Sequence, residues 1–431
     1  MNYAIVGNGV AGTSAAFRLR QRDPAAAITL ISGESDYFFS RTALMYAYMD
    51  RMNLRDLEPF ERQAYTAQRI DRRRAWVQDL HAGHRRLHFA GGGSLQYDKL
   101  LLATGSVPNR FDWPGLAAVK EGVTHFVSLQ HLDACEKLTP STRRAVVVGG
   151  GLIGVELVEC LRHHGVEVEF LVREPSYWPI ALAPEESVLV EEEIRQHGVN
   201  LRLGEEVAEV LSDPATARVT AIKTNHGAEL ACQMLGICIG VRPAVDWLRT
   251  VATPPALGRG IQASPQFRTS LPEVWAAGDC AEIVPPNGAP PFLEQIWYSA
   301  KRQGELAALS MLGDPVSYQP PIFYNSARFF ELEYTTVGRA ANLPASAQAF
   351  FHRVPGRRAS IRIASSENAV IGFNLLGARW NHTRLETWIR ERRTLDFVMA
   401  NLHHAQFDVE FGRLPLESAR AAYATAGRKS A

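Results

Sequence analysis

Apolar positions along the first three-quarters of the chain fall into short blocks separated by longer amphipathic stretches, beginning with Tyr3-Ala4-Ile5-Val6 and then residues 11–22. A brief apolar block bounded by glycine reads as a strand buried on both faces, and the longer stretch after it as a helix. The same alternation predicts strands at 27–31, 97–103, 144–148, 166–172 and 269–277, with a second helix over 152–164. Trp76-Val77-Gln78, Arg86-Leu87-His88-Phe89 and the Gly91-Gly92-Gly93 turn predict an antiparallel insertion.

Two of the strand-to-helix junctions carry the same glycine spacing. Gly7-Asn8-Gly9-Val10-Ala11-Gly12 follows the first strand, and Gly149-Gly150-Gly151-Leu152-Ile153-Gly154 follows a later one. In such a turn the first glycine (Gly7, Gly149) permits the tight bend and the second (Gly9, Gly151) lets backbone approach a pyrophosphate. The third (Gly12, Gly154) lets the helix pack close to the strand. The phosphates then sit at a helix N-terminus. One copy is weak evidence; two copies, each between strand and helix, predict two bound dinucleotides.

The residues that follow each second strand bear on which dinucleotide binds. Glu34 lies 22 residues beyond Gly12, close to the offset of about 20 expected of a ribose-binding acid. After the corresponding strand of the second copy come Arg173 and Glu174. The arginine favours a 2′-phosphate and the glutamate opposes it, so NADPH has a slight advantage over NADH and both stay open.

Two further strand ends, Leu102-Ala103-Thr104-Gly105 and Ala276-Ala277-Gly278-Asp279, complete a pattern that resembles the FAD-dependent pyridine nucleotide-disulfide oxidoreductase superfamily. The resemblance spans about three-quarters of the chain. It implies FAD at the first glycine turn, held also by Thr104, Gly105, Gly278 and Asp279, with Asp279 on the ribityl chain. NAD(P)H is implied at the second turn, with Arg173, Glu174 and Gly240. Within the superfamily, Phe39-Ser40-Arg41-Thr42-Ala43-Leu44 and Leu293-Glu294-Gln295-Ile296-Trp297 are similar to the ferredoxin-reductase-like branch, which includes nitrite-reductase large subunits. By that likeness Arg41, Glu294, Gln295 and Trp297 stand near the flavin, and Glu156 orients the nicotinamide. Arg41, Glu156 and Trp297 are the implied catalytic residues. Where the branch often carries a lysine near flavin N5, this chain has Met45 and Tyr46.

The segment after the first strand–helix–strand unit, 37–46, contains no cysteine, so the dithiol of the disulfide reductases is missing. The five cysteines form no C-x-x-C pair, and neither a metal site nor a resident iron-sulfur cluster is expected. With 46 Lys and Arg against 45 Asp and Glu, the net charge of +1 implies no nucleic-acid or membrane field. No apolar run is long enough to cross a bilayer, and Met1 leads straight into a strand rather than into a secretory leader. Unpaired cysteines fit a cytoplasmic protein.

The expected fold class is α/β: two Rossmann-like dinucleotide-binding domains and a smaller C-terminal α+β domain. The FAD domain is discontinuous, 1–112 and 236–316, around an NAD(P)H domain over 113–235. A C-terminal αβ domain over 317–415 is expected to support a homodimer, and 416–431 reads as a frayed tail. A helix is predicted over 383–401, and its arginines read as a solvated face more readily than as a docking face for an acidic partner. The expected function is transfer of electrons from a nicotinamide through flavin to a separate acceptor, a ferredoxin- or rubredoxin-type protein or a nitrite-reductase-like partner. A quinone reductase, an oxidase and a redox-gated binding protein resembling apoptosis-inducing-factor-like flavoproteins stay open as alternatives.

Overall fold

The computed structural model describes residues 1–429 apart from 408, 409, 411 and 412, and the chain divides into two compact units. The first comprises Met1–Phe111, His125–Lys137 and Gly240–Pro320. Its centre is a five-stranded parallel sheet in the order Val274–Ala276, Lys99–Leu102, Asn2–Val6, Ala27–Ser32, Ile70–Arg74. Ile5, Leu101 and Trp275 are buried in it, as strands covered on both faces must be. The insertion predicted between 76 and 93 is present as antiparallel strands Val77–His81, Arg86–Phe89 and Ser94–Gln96.

Two helices of this unit, Val10–Arg22 and Trp297–Leu312, pack against each other at backbone distance. A Cβ on Gly304 would lie 2.1 Å from the carbonyl oxygen of Ala11. That approach carries the glycine turn of the first helix and the C-terminal helix of the unit as one block.

The second unit comprises Asp112–Thr124, Leu138–Ile239 and the chain from Pro321 onward. It holds a second parallel sheet, ordered Asn200–Leu203, Glu167–Val172, Arg144–Val148, Met234–Ile237, Val123–Thr124. It also holds an antiparallel sheet ordered Tyr324–Phe329, Leu332–Gly338, Ala369–Leu376, Ser360–Ser366, Ala347–Arg353. Between them the acidic helix Pro184–Gln196 meets arginines of the antiparallel sheet and its connection. Arg362 pairs with Glu185 at 2.8 Å, Arg353 with Glu192 at 2.6 Å, and Arg358 with Glu193. Glu186, fully buried, accepts from Ala183 N and Asn374 Nδ2, yet burial still pushes its carboxyl up to about 7.

The C-terminal region departs from the sequence pattern in two places. The helix expected over 383–401 is two helices, His382–Arg390 and Leu395–Asn401. Arg392 takes a left-handed conformation between them, and the Thr394 hydroxyl caps the second by accepting from Phe397 N. Most of the arginines of this stretch are ion-paired: Arg390 with Glu386, Arg392 with Glu367 at 3.3 Å, Arg393 with Glu391 at 2.9 Å. The frayed tail expected from 416 is instead the helix Glu417–Lys429, with 430 and 431 outside the described residues. Ala419 is buried and Tyr423 donates to Asp396 at 2.8 Å, contacts an alanine-rich composition does not announce.

Gly304→Ala must push two backbones apart, whereas a Cβ on Gly83 meets nothing within 4 Å. In thermal melts, Gly304→Ala is expected to cost about 1–3 kcal/mol or more. Gly83→Ala should stay within about 0.5 kcal/mol of the parent.

Candidate functional site

The first glycine turn is built by exclusion. Gly7, at φ +110°, has no room for a side chain, since a Cβ would stand 2.0 Å from the Ala103 carbonyl oxygen. A Cβ on Gly12 would stand 1.9 Å from the Gly7 oxygen, while one on Gly9 meets nothing within 4 Å. Gly9 is the N-cap of the helix, without a side-chain cap and without an acid in the first turn. Backbone donors and a bare positive dipole end therefore face open space, which suits a pyrophosphate. Asn8 Nδ2 donates to Ser35 O at 2.8 Å and to Ser35 Oγ at 3.1 Å, tying this turn to the loop after the second strand.

In that loop, Glu34 and Arg41, given separate roles by the sequence, are partners. Arg41 Nη1 donates to Glu34 Oε1 at 2.9 Å and to Val127 O at 2.7 Å, and its Nη2 bonds Glu34 Oε2. Glu34 Oε1 also accepts from Leu129 N at 3.1 Å, at the start of the helix Leu129–Leu138. His131, on that helix, is pushed down to about 4 by burial first and by His125 second, and so is neutral at pH 7.

Asp279 and the strand end at Thr104-Gly105 come together in the same unit. Ser106 Oγ donates to Asp279 Oδ2 at 2.8 Å, and Thr104 Oγ1 to Ala244 O at 3.0 Å. Burial pushes the Asp279 carboxyl above its ordinary range, against the pull of Ser106 and Arg41. Gly278, at φ +79°, donates its N–H to Gln303 Oε1 at 2.9 Å.

The Glu294-Gln295-Ile296-Trp297 segment splits in two by satisfaction. Glu294 is occupied, accepting from Tyr318 OH at 2.6 Å and Ser299 Oγ at 2.9 Å. Gln295 Nε2 and Trp297 Nε1 are buried donors without a partner among the described residues. Two orphaned donors two residues apart are costly unless a ligand accepts from them, and the carbonyls and ring nitrogens of a flavin have that chemistry.

The second glycine turn repeats the first in the other unit. A Cβ on Gly149 would stand 2.2 Å from Cys238 O and one on Gly154 2.0 Å from Gly149 O, while Gly151 faces open space at the helix N-cap. Burial, then the neighbouring Glu159, pushes Glu156 up to about 8. Glu159 itself accepts from Arg328 Nη2 at 3.0 Å. Arg173 and Glu174 pair with each other at 2.9 Å, so each screens the other. Gly240, implied for NAD(P)H, belongs to the first unit, where its oxygen accepts from Asn109 N at 3.0 Å.

Sequence reasoning passed over Ser106, His131 and Tyr177. Ser106 sits next to Gly105 and is legible in hindsight. Tyr177, fully buried with its hydroxyl 3.4 Å from Gly151 O, lies in a loop with no pattern of its own. All five cysteines are buried and none is in a disulfide, and no metal-binding group of His, Cys, Asp and Glu exists among the described residues. No helix of the described residues is long and apolar enough to cross a membrane.

The family described as pyridine nucleotide-disulphide oxidoreductase matches residues 1–304. The 5,5'-dehydrodivanillate O-demethylase ferredoxin reductase subunit of Sphingobium is 30% identical over 345 residues, covering 78% of this chain and 81% of that protein. Terpredoxin reductase of a Pseudomonas species is 28% identical, covering 85% and 87%. The putidaredoxin reductase–putidaredoxin complex superposes with a TM-score of 0.81 at 21% identity over 99% of each chain, a likeness of fold.

The raised carboxyl of Glu156 has a definite consequence. The folded protein holds that proton more tightly than the unfolded chain, whose carboxyl titrates near pH 4.3, so Glu156 lowers stability as pH rises from about 4.3 to about 8. Across melts from pH 5 to pH 9, Glu156→Gln is expected to gain melting temperature relative to the parent. Parallel curves would show that Glu156 is ionised throughout.

Proposed function

The chain belongs to the pyridine nucleotide-disulphide oxidoreductase family and is an FAD-dependent NAD(P)H oxidoreductase; on that premise we propose that its electrons leave for a small ferredoxin-type protein. The observation that carries this reading is the stretch 37–46, which lacks any cysteine in a chain with two dinucleotide turns. A thiol relay has no residues to run on, and the relatives that cover most of the chain bear the names of ferredoxin and terpredoxin reductases.

FAD, when bound, supplies hydride acceptance and delivery of electrons to an acceptor. The protein's part is positioning. Gly7, Gly9 and Gly12 would cradle its pyrophosphate, Asp279 and Thr104-Gly105 would hold its middle, and Gln295 and Trp297 would donate to its polar ring edge. Gly149, Gly151 and Gly154 receive the nicotinamide dinucleotide, with the neutral form of Glu156 available as a hydrogen-bond donor near neutral pH. Arg41 acts here through Glu34, fixing the loop after the second strand. The domain assignment that accompanies this reading is 1–112 with 236–316 for FAD, 113–235 for NAD(P)H and 317–415 for a C-terminal domain serving a homodimer in the cytoplasm.

The test is anaerobic. Mixing purified protein with NADH or NADPH should bleach the flavin band, and a ferredoxin-type protein should restore it far faster than dioxygen or a small quinone does. Restoration by dioxygen alone would point to an oxidase. Arg173→Ala should raise KM for NADPH more than for NADH. Gly151→Glu should keep the yellow colour but slow bleaching tenfold or more, since an acid at that helix start repels phosphate by about 2 kcal/mol.

A further inference from the structure

Trp76 is 63% exposed, whereas every other tryptophan of the chain is buried or partly buried. It stands just past the edge strand Ile70–Arg74, which runs parallel to Ala27–Ser32 with Arg74 opposite Ser32. Ala75 N donates to Ser32 O at 3.0 Å, so the chain carries Trp76 out at the carboxyl edge of the sheet. In open parallel sheets that edge is where ligands bind, and the Gly7–Gly9 turn emerges from the same edge.

The indole does not stand free there. A Cβ on Gly33 would lie 2.1 Å from Trp76 Cδ2, 2.3 Å from Cε2 and 2.6 Å from Cε3. Gly33 has no positive φ, so its backbone does not require glycine; the indole does. Gly33 opens the loop Gly33-Glu34-Ser35 that Asn8 ties to the phosphate turn, and Glu34 is locked in that loop by Arg41. A large flat apolar ring is thus fixed beside the ribose end of the dinucleotide turn, with most of its surface facing solvent.

We infer that the Trp76 indole is a stacking wall for the adenine of the dinucleotide held at the first glycine turn, and that Gly33 is small to let it stand there. The inference rests on FAD occupying that turn. An exposed aromatic face binds a purine by stacking worth about tenfold in affinity or more, and Trp76 is 63% exposed.

The experiment uses protein stripped of flavin and titrated with FAD, with ADP as a probe that carries adenine and with riboflavin 5′-phosphate as one that does not. Trp76→Ala should weaken FAD and ADP about tenfold and leave riboflavin 5′-phosphate unchanged, while Trp76→Phe restores most of the loss. Unchanged FAD affinity, or equal weakening of all three probes with a lowered melting temperature, would overturn the inference. Gly9→Glu separates the premise: if that variant still holds FAD at parental affinity, the dinucleotide is not at the first turn and the role of Trp76 falls with it. If Gly9→Glu loses FAD while Trp76→Ala does not, only the stacking role falls.

Discussion

Both nucleotide turns depend on one steric constraint, the approach of a carbonyl oxygen to the place where a side chain would begin. In the first turn the Gly7 oxygen lies 1.9 Å from the Cβ position of Gly12, and in the second the Gly149 oxygen lies 2.0 Å from that of Gly154. No L-residue with a side chain tolerates that distance, so each helix start is drawn against its strand only because glycine is there. A Cβ on Gly9 or Gly151, by contrast, would meet nothing within 4 Å, and their smallness serves the space in front of the helix rather than packing behind it. The same economy of space recurs where Gly304 meets Ala11, which joins the helix of the first turn to the helix that follows Trp297.

Around these turns, charge is arranged in pairs before any ligand arrives. Glu34 with Arg41, and Arg173 with Glu174, are local ion pairs in which each partner holds the other's orientation. Exposed pairs of this kind contribute little stability, and their role is geometric. Glu34 gains a third bond from the N–H of Leu129, so the loop after the second strand and the helix Leu129–Leu138 share one carboxylate. Within the Glu294–Trp297 segment, the groups left without protein partners are the neutral donors of Gln295 and Trp297. Buried donors without acceptors mark where an external acceptor belongs more sharply than any charge in the site.

The second unit shows a different use of charge. Helix Pro184–Gln196 presents acids to arginines of the antiparallel sheet, and Glu186 is buried among Ala183, Asn374 and Arg362. Such a seam fixes relative orientation at some cost in desolvation. It also joins the C-terminal sheet to the elements around the second glycine turn within one compact unit.

Glycine spacing, strand alternation and the Thr104-Gly105 and Gly278-Asp279 strand ends were enough to specify two parallel sheets with a dinucleotide turn each, because those signals arise from local backbone geometry and two-sided burial. The missing cysteines in 37–46 were equally legible, since absence needs no geometry. Which polar groups meet was decided only by tertiary structure. The bond from Leu129 to Glu34, the saturation of Glu294 by Tyr318, the orphaned donors of Gln295 and Trp297 and the desolvation of Glu156 all depend on contacts between residues distant in the chain or on desolvation. Neither leaves a period or a spacing in the sequence, and the break at Arg392 and the docking of the last helix through Tyr423 escaped it for the same reason.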